Sequence, residues 1–130
     1  MVGIVLISHS SRLADGAAEL VSQVAGSSLV MAAGGTDDGR LGTSTERITA
    51  AIAAADTGDG VLLLPDMGSS VLSALAVLAD LGPEPDGLQV RLVDAPFIEG
   101  AVAAAVAASV GLDLSAVATA AEEARDARKL

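Results

Sequence analysis

Aliphatic runs and helical stripes of apolar residues alternate along the chain. The runs are rich in Val, Ile and Leu, which is typical of parallel strands covered on both faces. They lie at residues 2–7, 29–33, 61–64 and 90–93. Each run is followed by apolar positions at helical spacing. The alternation predicts an α/β fold, with an open, mainly parallel sheet, helices on both faces and right-handed crossovers.

Five helices are predicted from the periodic apolar positions. Their stripes are Leu13, Ala17, Leu20, Val21 and Val24; Ile48, Ala51, Ile52 and Ala55; Val71, Leu75 and Leu78; Val102, Val106 and Val110; and Leu114, Val117 and Ala121. Ser10 or Ser11 is expected to cap the first helix, and Asp113 the last. Thr43 and Glu46 form a T-x-x-E pattern, which predicts a capping box before the second helix.

No interdomain linker or internal repeat interrupts this pattern. The 130 residues are therefore expected to form one domain, residues 1–130. Glycine, aspartate and proline are concentrated in two predicted loops, at 34–42 and 82–87. The last segment, EEARDARKL at residues 122–130, is expected to be a solvated tail.

Composition restricts the function classes. The formal net charge of −10 would repel nucleic acid and anionic membrane surfaces, so neither is an expected partner. Cysteine is absent, which excludes disulfides and thiolate metal sites. The apolar start lacks the basic region of a signal peptide, and no run is long enough to span a membrane. We expect a cytoplasmic protein.

Two strand exits hold the residues best suited to chemistry, the segments SHSSR at 8–12 and PDMGSS at 65–70. A strand order of 2-1-3-4 would make strands one and three neighbours, although periodicity alone leaves the order open. Ligands bind beyond the carboxyl ends of such sheets. His9 is the only histidine. In that order Asp66 could accept a hydrogen bond from one ring nitrogen and leave the other as a nucleophile.

Small polar residues near both exits predict an anion site. Gly68, Ser69 and Ser70 precede a predicted helix, whose first amides and dipole favour an anion. Ser10 and Ser11 could contribute donors from the first helix in the same way. Whether Arg12 or Thr43 also contacts the anion stays open at this point.

These residue types together fit phosphoryl transfer through a histidine. The reaction needs in-line positioning and donors around three oxygens. Transfer between histidines needs no metal in principle, and the sequence contains neither a Walker A nor a G-x-G-x-x-G motif. His9 is therefore the predicted phosphorylated residue.

The segments IVLISHSSRLADGAAEL, LLLPDMGSSVLSA and APFIEGAVAAA resemble the EIIA domain, of the mannose type, of DhaM subunits in bacterial dihydroxyacetone kinases. The resemblance implies that His9 is phosphorylated by the carrier protein HPr and that Asp66 orients it. It further implies an acceptor ADP, held with magnesium on the subunit DhaL, which serves dihydroxyacetone bound to DhaK. A homodimer with strand order 2-1-3-4, and no cofactor on this chain, are also implied.

Two other readings compete with this one. SHSSR is close to a motif of tetrapyrrole metal chelatases, which share a similar fold but usually need a second histidine that this chain lacks. A non-catalytic interaction domain of the same fold would use His9 only structurally. The pairing of His9 with Asp66 argues against that reading.

Overall fold

Strands and helices alternate in a computed structural model that describes residues 1–83 and 87–130. Within these ranges the strands are β1 (Gly3–Ser8), β2 (Leu29–Gly34), β3 (Val61–Pro65) and β4 (Val90–Leu92). The helices are α1 (Ser11–Ala25), α2 (Thr45–Ala55), α3 (Gly68–Leu81), α4 (Phe97–Ser109) and α5 (Leu114–Glu123), followed by a 3₁₀ turn at Ala124–Asp126. The predicted α/β class is confirmed. Of the predicted loop at 82–87, residues 84–86 lie outside the described ranges.

The four strands form one parallel sheet of order β2-β1-β3-β4. This confirms the 2-1-3-4 order. The strand β1 is central and buried along its whole length, as its aliphatic run predicts. Its register sets Ser8 opposite Gly34 of β2, and Ile7 opposite Pro65 of β3. The residues that follow β1 and β3 therefore emerge side by side at the carboxyl edge of the sheet.

Helices cover both faces of the sheet. One apolar cluster joins α1, α4 and α5 to the sheet, and the other joins α2 and α3 to the opposite face. All four residues of the stripe predicted for α2 are buried: Ile48, Ala51, Ile52 and Ala55. This layering leaves the carboxyl edge open for a site.

The buried face of α1 differs from the prediction. Ala14, Ala17 and Val21 are buried, whereas Leu13, Leu20 and Val24 are exposed. The helix therefore faces the sheet mainly through alanine, because small side chains let it approach the strands closely. The larger aliphatic residues lie on its flank.

The helices α3 and α4 depart from prediction in the same way. In α3 the buried residues are Ser70, Ala74 and Val77, and Leu75 is exposed. In α4, glycine and alanine fill the buried positions, so Val106 and Val110 are exposed. Residue size was the wrong guide to the inner face of these alanine-rich helices.

The helix caps confirm two predictions and correct a third. Ser10 caps α1 by accepting from the amide of Leu13 (3.2 Å), and Asp113 caps α5. The capping box of Thr43 and Glu46 is wrong, because α2 begins one residue later and Ser44 accepts the capping bond from the amide of Arg47.

The segment predicted to be a solvated tail is mostly exposed and folds back on α4. Residues 122 and 123 complete α5, and the guanidinium of Arg125 donates to the carbonyl of Asp94. Lys129 pairs with Glu99 at 2.8 Å. In the ranges described, no helix has the length and apolarity needed to cross a bilayer.

Candidate active site

His9 and Asp66 meet at the carboxyl edge of the sheet. His9 follows β1 directly, and Asp66 follows β3, where its amide donates to the carbonyl of Ile7 (2.9 Å). This bond extends the ladder past Pro65, which has no amide hydrogen to give. The ring Nδ1 of His9 lies 3.0 Å from Oδ1 of Asp66. Neighbouring strands thus bring together two residues that are 57 positions apart.

Four donors converge on the carboxylate of Asp66, whose side chain is 7% exposed. Oδ1 faces His9 Nδ1 and accepts from the amide of Met67 (2.8 Å). Oδ2 accepts from the amide of His9 (3.1 Å) and from the hydroxyl of Ser8 (2.9 Å). Two bonds on each oxygen hold the carboxylate in one rotamer.

The pKa of Asp66 is lowered from its ordinary value. Burial alone would raise this pKa, because it disfavours the charged form. The amide of His9, the hydroxyls of Ser8 and Ser70, and the His9 ring together outweigh burial. Asp66 is therefore a carboxylate at neutral pH, and it accepts a hydrogen bond from Nδ1 of His9.

The other ring nitrogen of His9 faces the start of α3. Nε2 lies 2.6 Å from the hydroxyl of Ser69, and the His9 side chain is 22% exposed. Because ionised Asp66 can only accept, Nδ1 is the protonated nitrogen of the neutral ring. Nε2 then keeps its lone pair, to which the Ser69 hydroxyl donates. The nitrogen that keeps its lone pair is consequently the one in the exposed contact with Ser69, whereas the contact of Nδ1 with Asp66 is partly buried.

The first turn of α3 supplies donors beside Nε2. Met67 occupies the cap position without a side-chain cap, and the amide and hydroxyl of Ser70 both bond to its carbonyl (3.1 and 2.7 Å). Among the described residues, the amides of Gly68 and Ser69 are then the ones left for an anion, since first-turn amides lack acceptors within the helix. Ser70 is fully buried and supports the turn.

The residues predicted from the first helix have a different arrangement. The Ser10 hydroxyl accepts the capping bond from the amide of Leu13 at the start of α1. Ser11 begins α1, and Arg12 is exposed in the same turn. Thr43 contacts Ser73 of α3 through its hydroxyl (2.5 Å). Within the ranges described, none of these side chains has a hydrogen bond to His9 or Asp66.

Sequence reasoning missed Ser8 as a residue of this site. It is fully buried at the end of β1, and its hydroxyl also accepts from the amide of Ser10 (3.1 Å). A serine just before a candidate histidine gives little signal in sequence, because strand-end serines are common. The signal that could have found it is the alternation of side chains along a strand. Ser8 and Asp66 are the next positions after the paired residues Ile7 and Pro65, so their side chains are expected on the same face of the sheet.

The loop between β2 and α2 holds the backbone of Ser8 and His9 in place. The amide of Gly42 donates to the carbonyl of His9 (2.8 Å), and the amide of Gly35 donates to that of Ser8 (3.1 Å). A Cβ on Gly34 would lie 2.5 Å from the carbonyl oxygen of Ser10, so only glycine fits this approach. Arg47 ties the loop to α2 by donating to Asp37 and to the carbonyl of Gly34. The backbone around His9 is therefore braced.

An open groove of about 400 Å³ borders Asp66 on the side of β4. Its wall includes Met67, Val71 and Leu92, and Asp94 lies at its rim. Groups of three or more metal-ligating side chains do not occur in the described part of the chain. The groups that meet at the site are a histidine, a carboxylate and the start of a helix.

Comparison with known proteins gives independent information. The model of the family EIIA-man, described as PTS system fructose IIA component, matches residues 3–118. A crystal structure of a protein of unknown function, EF1359, is similar with a TM-score of 0.79 at 37% identity, covering 94% of this chain and 93% of that one.

Curated relatives agree with the family match. The phosphoryl donor subunit DhaM of PEP-dependent dihydroxyacetone kinase from Escherichia coli is 41% identical over 121 residues, 90% of this chain. The corresponding subunit of dihydroxyacetone kinase 2 from Listeria innocua is 36% identical over 118 residues. The chain covers 25% of the length of the first relative and 94% of the second. These comparisons do not favour the chelatase or the non-catalytic alternative.

Proposed function

Because the chain belongs to the EIIA-man family, we propose that it is a phosphocarrier, in which His9 accepts a phosphoryl group from one protein and passes it to another. The observation that supports this most directly is the hydrogen-bonded series from Asp66 through the His9 ring to Ser69. It gives one nitrogen a proton and an anchor, and the other a lone pair close to helix amides. Those are the requirements for a nucleophile that attacks phosphorus.

The proposed reaction is a direct displacement. The Nε2 lone pair of His9 attacks phosphorus in line, a new N–P bond forms, and the bond to the donor's leaving group breaks with its electron pair. The His9 ring becomes cationic while Nδ1 keeps its proton. The ionised carboxylate of Asp66 stabilises that positive charge. The reverse displacement, with His9 as the leaving group, delivers the phosphoryl group to the acceptor.

We assign phosphate binding to the start of α3. The amides of Gly68 and Ser69 lie at a helix N-terminus, where aligned dipoles favour an anion. The Ser69 hydroxyl, which meets Nε2 in the unphosphorylated state, would turn to a phosphoryl oxygen. Ser70 would keep this turn in place from its buried position. Ser10 and Ser11 would contribute from the start of α1.

The proposed donor is HPr, and the proposed acceptor is ADP on DhaL, which serves dihydroxyacetone on DhaK. The relatives are named phosphoryl donor subunits of PEP-dependent dihydroxyacetone kinases, which agrees with this direction of transfer. Nucleotide and magnesium would be held by the partner, and we propose that this chain carries no cofactor of its own. A cytoplasmic location follows from these partners.

We further propose a homodimer formed through α1 and α4. These helices pack side by side and leave Leu20, Val24 and Val106 exposed. Exposed aliphatic patches of this kind mark interaction surfaces. A second copy is the proposed occupant because two chains of net charge −10 repel each other least where aliphatic side chains, and not carboxylates, meet.

The deciding experiment is transfer from phosphoenolpyruvate through enzyme I and HPr, followed by intact mass. The purified chain should gain one phosphoryl group that is lost in acid. His9→Ala should gain none, and since His9 is the only histidine the site needs no further mapping. A wild-type chain that stays unmodified while HPr is phosphorylated would favour the non-catalytic alternative.

A further inference from the structure

Ser8 connects the start of α1 to the carboxylate of the site. Its hydroxyl accepts from the amide of Ser10 (3.1 Å) and donates to Oδ2 of Asp66 (2.9 Å). The bond from Ser10 leaves the hydroxyl proton free to point in one direction, toward the carboxylate. Such a chain of bonds polarises along its length and is stronger inside a protein than at its surface.

The hydroxyl of Ser8 differs from the other donors to Asp66. Two of those donors are backbone amides, of His9 and Met67, and the third is the His9 ring itself. Among the described residues, Ser8 is thus the side chain, apart from the His9 ring, that lies at hydrogen-bond distance from the carboxylate and donates to it, whereas the nearby Ser70 hydroxyl donates to the carbonyl of Met67 (2.7 Å). Ser8 itself is fully buried.

We propose that Ser8 is a positioning residue for phosphoryl transfer, whose hydroxyl holds the Asp66 carboxylate in the rotamer that keeps the proton of His9 on Nδ1. This inference rests on the proposed function of His9. Without the hydroxyl, Oδ2 loses one of its two donors and the carboxylate gains freedom to turn. The neutral ring then samples the tautomer with the proton on Nε2, which has no lone pair there for attack.

The tautomer can be measured directly because the chain has one histidine. Protein labelled with ¹⁵N in the imidazole ring gives two ring nitrogen signals, whose shifts report which nitrogen is protonated when the ring is neutral. The wild type should show Nδ1–H. Ser8→Ala should show a mixture with Nε2–H, whereas an unchanged tautomer in a folded Ser8→Ala chain would overturn the proposal.

Two further variants separate positioning from packing. Ser8→Cys keeps the shape of the side chain with a somewhat larger atom in place of the oxygen but offers only a weak donor, so it should also shift the tautomer. It decides the matter if the alanine variant fails to fold. Ser28→Ala is the matched control, since Ser28 is a partly buried serine near the opposite edge of the sheet, and among the described residues its hydroxyl has no hydrogen-bond partner. It should keep the wild-type signals.

The rate of phosphorylation by HPr gives the functional readout. Loss of an outer hydrogen-bond partner typically costs roughly 10- to 100-fold in activity, and we expect a fall of about 10-fold in kcat for Ser8→Ala with KM for HPr unchanged. A purely structural role would lower the fraction of active protein without shifting the tautomer. If wild-type His9 is never phosphorylated, the proposed function fails, and the tautomer measurement still tests Ser8.

Discussion

A histidine attacks phosphorus only through a ring nitrogen that has kept its lone pair, so the placement of a single proton governs the reaction proposed for this site. Here the proton is assigned by Asp66, which can only accept and faces Nδ1 at 3.0 Å. The Ser69 hydroxyl, 2.6 Å from Nε2, completes the assignment from the other side. Each of these contacts can be tested by a change of a few atoms.

Replacing Asp66 by asparagine should slow phosphorylation of His9 by at least roughly 10- to 100-fold, the range for a metal-bound histidine that loses its outer hydrogen-bond partner. Asparagine removes the negative charge, and its amide group would face two of the donors that now converge on the carboxylate. The single-turnover rate of transfer from HPr measures the effect, and circular dichroism checks that the fold is kept. Asp94→Asn is the matched control, because Asp94 is an exposed carboxylate on the next loop. Equal rates for both variants and the wild type would contradict an orienting role.

The sequence pattern was sufficient to place His9 and Asp66 at strand exits, because both follow aliphatic runs, whereas the neighbouring position of those strands was implied only by the family resemblance and is seen in the sheet order. The sequence could not reveal which contact each serine hydroxyl makes. Ser10 turns its hydroxyl to the helix start and Ser69 turns to Nε2, which depends on rotamers and on where each helix begins. The roles of all these residues in phosphate binding stay predictions.

Close approach between elements explains one glycine of the central strand. Gly3 lies in β1, and a Cβ there would lie 2.1 Å from the carbonyl oxygen of Ala55 at the end of α2. That oxygen belongs to the backbone, so it can move aside only if the end of α2 shifts with it. The helix therefore packs on the strand at a distance that only glycine permits.

Gly3→Ala should destabilise the protein by at least about 2 kcal/mol, as expected for overpacking a rigid core. Gly16→Ala, in the exposed face of α1, meets no atom within 4 Å and should stabilise by roughly 0.5–1 kcal/mol, since alanine favours the helix. Urea unfolding followed by circular dichroism gives both values. A Gly3→Ala chain as stable as the wild type would show that α2 can shift away from β1.

The type and order of the elements followed from sequence periodicity, but the inner faces of three helices did not. In α1 and α4 the residues toward the sheet are chiefly alanine, while Leu20 and Val106 lie outside. Hydrophobic patterns weight large aliphatic residues most, so they point to the wrong side where alanine sets the packing distance. In α2, where isoleucine itself is buried, the prediction was confirmed.

At the scale of the whole molecule, the exposed aliphatic residues and the net charge together bear on whether the chain associates with a second copy. A chain with 17 acidic and 7 basic residues should resist self-association over most of its surface. The face made by α1 and α4 is one place where aliphatic side chains are exposed, since Leu20 and Val106 are 47% and 45% exposed on packed neighbouring helices, and α3 exposes Leu72 on the other side of the sheet. Burial of such a patch is the main source of affinity that a homodimer could use.

The proposed dimer therefore predicts a charge-sensitive interface on this one face. Leu20→Glu or Val106→Glu would bring like charges together across a two-fold axis, at a cost on the order of 3 kcal/mol, which weakens dimerisation by about 100-fold. Sedimentation velocity at micromolar concentration should then show a monomer for either variant and a dimer for the wild type. Leu72→Glu is the matched control, since Leu72 is more exposed but lies on α3, on the opposite face of the sheet. A monomeric wild type, or dissociation by Leu72→Glu alone, would place the interface elsewhere or remove it.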